Sequence, residues 1–191
     1  EVACVVTQPG RPKGRGYKMA STPVKEFALQ QGYRVETPET LKEGALLPLL
    51  QEINPDLIVV VAYGKILPSY VLDYPRLGCI NVHGSLLPMY RGAAPVNHVI
   101  LDGQRETGVT TMYMDQGLDT GDMILKASTP INDEDTFGTL HDRLAKIGGE
   151  LLVQTLDLIA QGIAPRTVQE GETCYASMIT KVVVCNGVTS I

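Results

Sequence analysis

Residues 79–95 read CINVHGSLLPMYRGAAP, and this stretch decides the fold: an apolar strand over 79–82 ends as Asn81, His83 and Ser85 fall at alternate positions, and glycine and proline then break the chain. Side chains two apart on a strand share a face, so Asn81 and His83 leave the sheet side by side. Ligands of open α/β sheets bind beyond the carboxyl ends of the strands, where this pair would lie. Taken singly, Asn81 could cap the loop and His83 could satisfy a buried backbone carbonyl. As a pair at a strand end, followed by a Gly and Pro loop, they point to a site. Ser85 is not read as a hydrolase nucleophile, because HGSLL lacks the GxSxG elbow that would expose it.

Working outward, LIVVVA over 57–62 has the unbroken apolar character of a parallel strand covered on both faces, and Asn54, Pro55 and Asp56 form the turn before it. A helix is expected over 45–53. Thr22 followed by Pro23 resembles a helix cap, with Gly32 closing that helix. VACVV over 2–6 reads as a buried strand, and a loop follows to about Ser21. Downstream, 94–101 looks helical, 108–114 and 123–131 look like strands, and the last helix is expected over 136–161. There Phe137, Leu140, Leu144, Ile147, Leu151, Leu152, Leu158 and Ile159 recur at helical spacing, with Gly148 and Gly149 as a kink or break. Strands alternating with helices imply an open, mostly parallel α/β sheet with helices on both faces.

The 191 residues, 44% hydrophobic, are enough for one compact domain with a real core. A net charge of −5 argues against a general nucleic-acid coat, since nonspecific phosphate binding needs an excess of Lys and Arg. Cys4, Cys79, Cys174 and Cys185 show no CxxC spacing, which fits a reduced cytosolic chain and not a disulfide scaffold or a zinc site. No apolar run is long enough to cross a bilayer and no signal peptide opens the chain, so a soluble protein is expected.

Two further segments carry chemistry. In MDQGLDTGDM, Asp115, Asp119 and Asp122 stand among glycines, but Lys126 occupies the twelfth position, where a calcium loop needs a bidentate Glu. Alone, the segment reads as a tight turn; Asp119 acquires a role if the fold carries it to His83, because a carboxylate beside an imidazole orients it. In TQPGRPKGRGYKMASTP, Arg11, Lys13, Arg15 and Lys18 alternate with Gly and Pro without an intervening acid. The segment matches neither phosphate-cradling glycine pattern, and it reads equally as a solvated loop or as a docking surface for phosphates.

Together, NVHGSLLPMYRGAAP, MDQGLDTGD and TQPGRPKGRG resemble the methionyl-tRNA formyltransferase family in its catalytic domain, over residues 2 to about 181. The NxHGSLLPxxRG block is shared with relatives that formylate glycinamide ribotide or amino sugars, or that hydrolyse formyl-folate; the basic loop and GAAP are more specific. The resemblance implies a Rossmann-like formyltransferase fold, a catalytic domain over 1–181 and an unassigned tail over 182–191. It implies 10-formyltetrahydrofolate as co-substrate, no metal, initiator methionyl-tRNA as partner, no membrane, a monomer, and a bacterial cytoplasm or organellar matrix. Asn81, His83 and Asp119 match the family's catalytic trio. Ser85, Leu86, Leu87 and Pro88 match its folate contacts, and Ile66 and Leu67 in AYGKIL match a wall of the pterin pocket. Arg15 matches a tRNA-contacting arginine, with Arg11, Lys13 and Lys18 completing the grip. The family opens with a strand, turn and helix ahead of VACVV and ends in a β-barrel domain, so a missing first strand and weakened tRNA affinity are expected here. An amino-sugar-nucleotide formyltransferase and a formyltetrahydrofolate hydrolase are the alternatives.

Overall fold

The computed structural model describes residues 1–13 and 18–179. The chain divides into two compact units, residues 1–58 with 63–78, and residues 59–62 with everything from Cys79 onward.

In the first unit, β1 (Val5–Val6) is shorter than the strand expected over 2–6, because only Val5 and Val6 find ladder partners; Val2 is exposed. The expected loop that follows contains a hairpin, β2 (Arg11–Lys13) and β3 (Lys18–Ala20), whose register opposes Lys13 to Lys18. Helix α1 (Pro23–Gln30) starts as expected, with the Thr22 hydroxyl accepting from the Lys25 N–H. It leads to β4 (Val35–Glu36), which pairs parallel with β1. Helix α2 (Leu47–Ile53) stops at Asn54, which takes the left-handed conformation of a helix terminator. The strand expected over 57–62 is β5 (Ile58–Val60), and the short α3 (Ser69–Leu72) was not foreseen. Val59 and Val61 are exposed, so the expected cover on both faces is not met: an unbroken apolar run specifies extended chain without specifying what packs on it.

A four-stranded sheet runs in the order β5, β6 (Cys79–His83), β7 (Glu106–Tyr113), β8 (Met123–Pro130), all within a residue or two of expectation at their starts. The open α/β architecture holds, with mixed pairing: β1 and β4 are parallel, whereas β6 with β7 and β7 with β8 are antiparallel. A turn of nine residues suffices to join β7 to β8 as a hairpin, while parallel neighbours need a crossover.

Helix α4 (Pro95–Leu101) and helix α5 (Phe137–Ala160) pack on this sheet, burying Val99, Val109, Leu140, Leu144 and Leu151 in one cluster with Tyr90 and Ala176. Thr136 caps α5 by accepting from the Thr139 N–H. The glycine pair does not break α5, which runs unbroken through it. Gly148 is instead a contact point: a Cβ there would lie 3.1 Å from Val82 Cγ1, so the missing side chain lets the helix sit close on β6 and β7. A buried polar chain crosses the same interface, the Thr111 and Thr155 hydroxyls meeting at 2.8 Å and Thr155 donating to the Leu151 carbonyl. Among the described residues no helix is long and apolar enough to cross a membrane.

Candidate active site

Alternation along β6 turns Val82 toward Gly148 of α5 and leaves Asn81 and His83 on the other face. That face is shared with their register partners, since Asn81 opposes Met112 and His83 opposes Thr110. Thr110 is fully buried and builds the loop that follows: its hydroxyl donates to the Ser85 carbonyl at 2.7 Å and accepts from the Leu87 N–H at 3.1 Å. The Ser85 hydroxyl donates to the Met89 carbonyl at 2.6 Å, and Leu87 is buried with Met112 and Met123. Loop 84–94 is therefore held by strand β7 beneath it, with Leu86 and Pro88 half-buried.

The loop carries a second constraint back to the strand. Tyr90 sits in the left-handed region at φ 59°, and its carbonyl accepts from His83 Nε2 at 2.8 Å. A carbonyl only accepts, so Nε2 carries the proton and Nδ1 is left to face Asp119, whose Oδ2 lies 3.6 Å away. The plain reading of His83, a ring nitrogen satisfied by a backbone carbonyl, is met at Nε2, while Nδ1 faces Asp119. Asn81 Nδ2 donates to Asp119 Oδ1 at 3.4 Å, and the Gly92 N–H donates to Oδ2 at 2.8 Å. Gly92 is required there: its φ is +111°, and a Cβ would approach the Ala176 carbonyl to 2.9 Å. His83 and Asp119 are both largely removed from solvent, with side-chain exposures of 6% and 14%.

Asp119 reaches the pair because the turn between β7 and β8 is braced. Asp115 Oδ1 accepts from the Gly117 N–H and the Thr120 hydroxyl, and Tyr113 N–H donates to the Asp122 carbonyl. Asp119 itself is left-handed, at φ 54°. The tight turn expected of this segment is present, and it carries Asp119 to His83.

Not all the expected site residues join the cluster. Ile66, 90% exposed, and Leu67, buried, belong to the first unit. Arg11, Lys13 and Lys18 lie in the β2–β3 hairpin of that unit, and Arg15 lies outside the described residues, as does the tail over 182–191. Two groups escaped the sequence reading. Arg91, inside the quoted motif, donates through Nε and an Nη to Gln169 Oε1, and Gln169 comes from a segment 78 residues further on. No local spacing signals such a pair; the Arg–Gly step after Tyr90 was the one hint.

A family model described as formyl transferase matches residues 1–156. The chain belongs to the formyl transferase family. Among curated formyl transferases it is 53% identical over 183 residues to the methionyl-tRNA formyltransferase of Caldanaerobacter subterraneus subsp. tengcongensis and 53% identical over 182 residues to that of Clostridioides difficile. Each alignment covers 95% of this chain and 59% of the relative, so the chain spans about three-fifths of their length. Two solved formyl transferases share the fold at 25% identity. The phosphoribosylglycinamide formyltransferase of Anaplasma phagocytophilum has a TM-score of 0.75, covering 92% of this chain and 86% of its own. A formyltransferase of Anoxybacillus kamchatkensis, solved with UDP-4,6-dideoxy-4-formamido-L-AltNAc and tetrahydrofolate, has a TM-score of 0.67, covering 92% and 85%.

Proposed function

We propose that this chain is the formyl-transferring part of a methionyl-tRNA formyltransferase, moving the formyl group of 10-formyltetrahydrofolate to the α-amino group of methionyl initiator tRNA. The observation that carries the reading is the meeting of Asn81, His83 and Asp119 at one end of β6. The 53% identity to methionyl-tRNA formyltransferases over 95% of the chain supports the choice of acceptor. In this reading residues 1–181 form the catalytic domain, acting as a monomer in a bacterial cytoplasm or an organellar matrix.

The donor set fits a formyl carbonyl. When the amine attacks, the carbonyl oxygen gains negative charge, and the Asn81 amide and the Nδ1 edge of His83, once protonated, are the hydrogen-bond donors available to it. Asp119 sits against both, orients the amide and the imidazole, and stabilises the imidazolium. As the new C–N bond forms, Asp119 takes the proton shed by the amine and hands it toward N10 of the folate, whose bond to the formyl carbon breaks. The co-substrate supplies the activated formyl group. Thr110 fixes the backbone of residues 85–88, and Leu86 and Pro88, half-buried there, offer an apolar wall to a flat heterocycle. Ile66 and Leu67 rest on the resemblance alone, as does the grip of Arg11, Lys13, Arg15 and Lys18 on tRNA phosphates.

The deciding experiment supplies 10-formyltetrahydrofolate with methionyl initiator tRNA, with an amino-sugar nucleotide, or with water alone, and follows deformylated folate. Release only with the charged tRNA is expected. Release with water alone would replace the reading with hydrolysis, and preference for the sugar nucleotide would change the acceptor.

A further inference from the structure

Residues 167–177 lie beyond the stretch matched by the family model, yet they bind both halves of the site. On one side the segment pairs with the loop after β6: the Arg91 N–H donates to the Cys174 carbonyl, Ala176 N–H to the Arg91 carbonyl, Ala94 N–H to the Ala176 carbonyl, and Thr173 Oγ1 to the Pro88 carbonyl. Tyr90 N–H points at Cys174 Sγ, 3.3 Å away. On the other side, Thr167 and Met123 exchange backbone bonds at the foot of the aspartate turn. Between the two attachments stands Gln169, with both polar side-chain atoms engaged. Its Oε1 accepts from Arg91 Nε at 3.0 Å and Nη2 at 2.8 Å, while Nε2 donates to the Asp119 carbonyl at 2.9 Å and the Gly121 carbonyl at 2.8 Å.

We propose that Gln169 is a positioning residue, holding Asp119 in its left-handed backbone conformation so that the carboxylate meets Asn81, His83 and the Gly92 N–H. A left-handed non-glycine residue is strained and persists only where its surroundings over-determine it. Gln169 Nε2 fixes the carbonyl of Asp119 itself and that of Gly121 two residues on, and the Arg91 bonds tie that clamp to the loop bearing Tyr90 and Gly92. Gln169 touches no catalytic side chain; it acts through the backbone. The reading of its effect on turnover rests on the function proposed above, but the clamp itself can be tested without it.

The test compares Gln169→Glu and Gln169→Met with wild type and with Asp119→Ala. Glu keeps an acceptor for Arg91 but sets an oxygen against the two carbonyls; Met keeps the volume and neither bond. The activity-independent readout is hydrogen exchange of the Gly92 amide, whose acceptor is Asp119 Oδ2. We expect Gly92 protection to fall by about tenfold or more in both variants, approaching Asp119→Ala, while β7 amides keep theirs. Unchanged Gly92 protection in both variants overturns the proposal, and so does an equal loss across β7, which would make Gln169 a general brace. In formyl transfer to methionyl-tRNA we expect kcat to fall roughly tenfold to a hundredfold with little change in KM for the folate, because misplacement by an ångström costs on that order. On the Asp119→Ala background Gln169→Glu should add less than about twofold; losses that multiply would show two independent residues and overturn the proposal. If the wild-type chain transfers no formyl group at all, the functional reading fails, and Gly92 exchange still decides the role of Gln169.

Discussion

At the scale of single residues, the site depends on which atom of each side chain is already engaged. His83 gives Nε2 to a backbone carbonyl and leaves Nδ1 facing Asp119, so its tautomer is set by Tyr90, a residue seven positions on. Asn81 is the neutral side-chain donor to Asp119, beside the Gly92 N–H. Asn81→Ala is expected to fold normally and to lose about a hundredfold to a thousandfold in turnover, the usual effect of removing one oxyanion donor; near-wild-type turnover in steady-state assays would remove Asn81 from the mechanism. Tyr90 also has a role of its own. Burial first, and the hydrogen bond from its hydroxyl to Asp102 second, push that hydroxyl from 10 up to about 12. The folded state favours the neutral phenol, so its contribution is complete below pH 10 and is lost as pH rises toward 12. Tyr90→Phe should therefore be about 1 kcal/mol less stable near neutrality, and its melting temperature should drop less steeply than that of wild type between pH 10 and pH 12. Parallel alkaline melting profiles for the two proteins would contradict this.

Among elements, the adjacent glycines of α5 make a paired comparison. Helical periodicity located α5 to within a residue at each end, but composition alone could not tell a hinge from a contact. Gly148 faces Val82 and Val109, whereas nothing lies within 4 Å of a Cβ built on Gly149. Gly149→Ala is expected to stabilise the protein by about 0.5–1 kcal/mol, the ordinary gain of alanine over glycine inside a helix. At Gly148 that gain meets an overpacking cost of about 1–3 kcal/mol, so Gly148→Ala should be neutral to destabilising. Urea midpoints should place Gly149→Ala above wild type and Gly148→Ala at or below it; a hinge would have both shift alike. The β2–β3 hairpin shows the converse limit. Its Gly- and Pro-rich sequence reads as loop, and only the register reveals that two lysines stand at opposed positions.

Across the whole molecule, the −5 net charge and the basic hairpin pull in opposite directions on a nucleic acid. In the function proposed here, tRNA is held through local phosphate contacts, which release counterions in proportion to their number. Replacing Lys13 and Lys18 with Gln should weaken tRNA binding and flatten the slope of log K against log salt by up to about 1.8, leaving tetrahydrofolate binding unchanged; an unchanged slope would free both lysines of phosphate contact. Much of this chain was legible residue by residue: the alternation Asn81, His83, the Thr22 and Pro23 cap, the spacing of Leu140, Leu144 and Leu151, and the turn carrying Asp119. Each of these is a statement about neighbours a few positions apart, where backbone geometry alone determines which side chains share a face. The exposure of Val59 and Val61, the antiparallel pairing of β6 through β8, the engagement of Ser85 within its loop, and above all the clamp of Gln169 on Arg91 and Asp119 were decided only by the tertiary structure. The clamp joins residues separated by 50 and 78 positions, and no local period encodes which distant carbonyl an amide will meet; that is chosen when helices and strands pack and each buried polar group must find its partner.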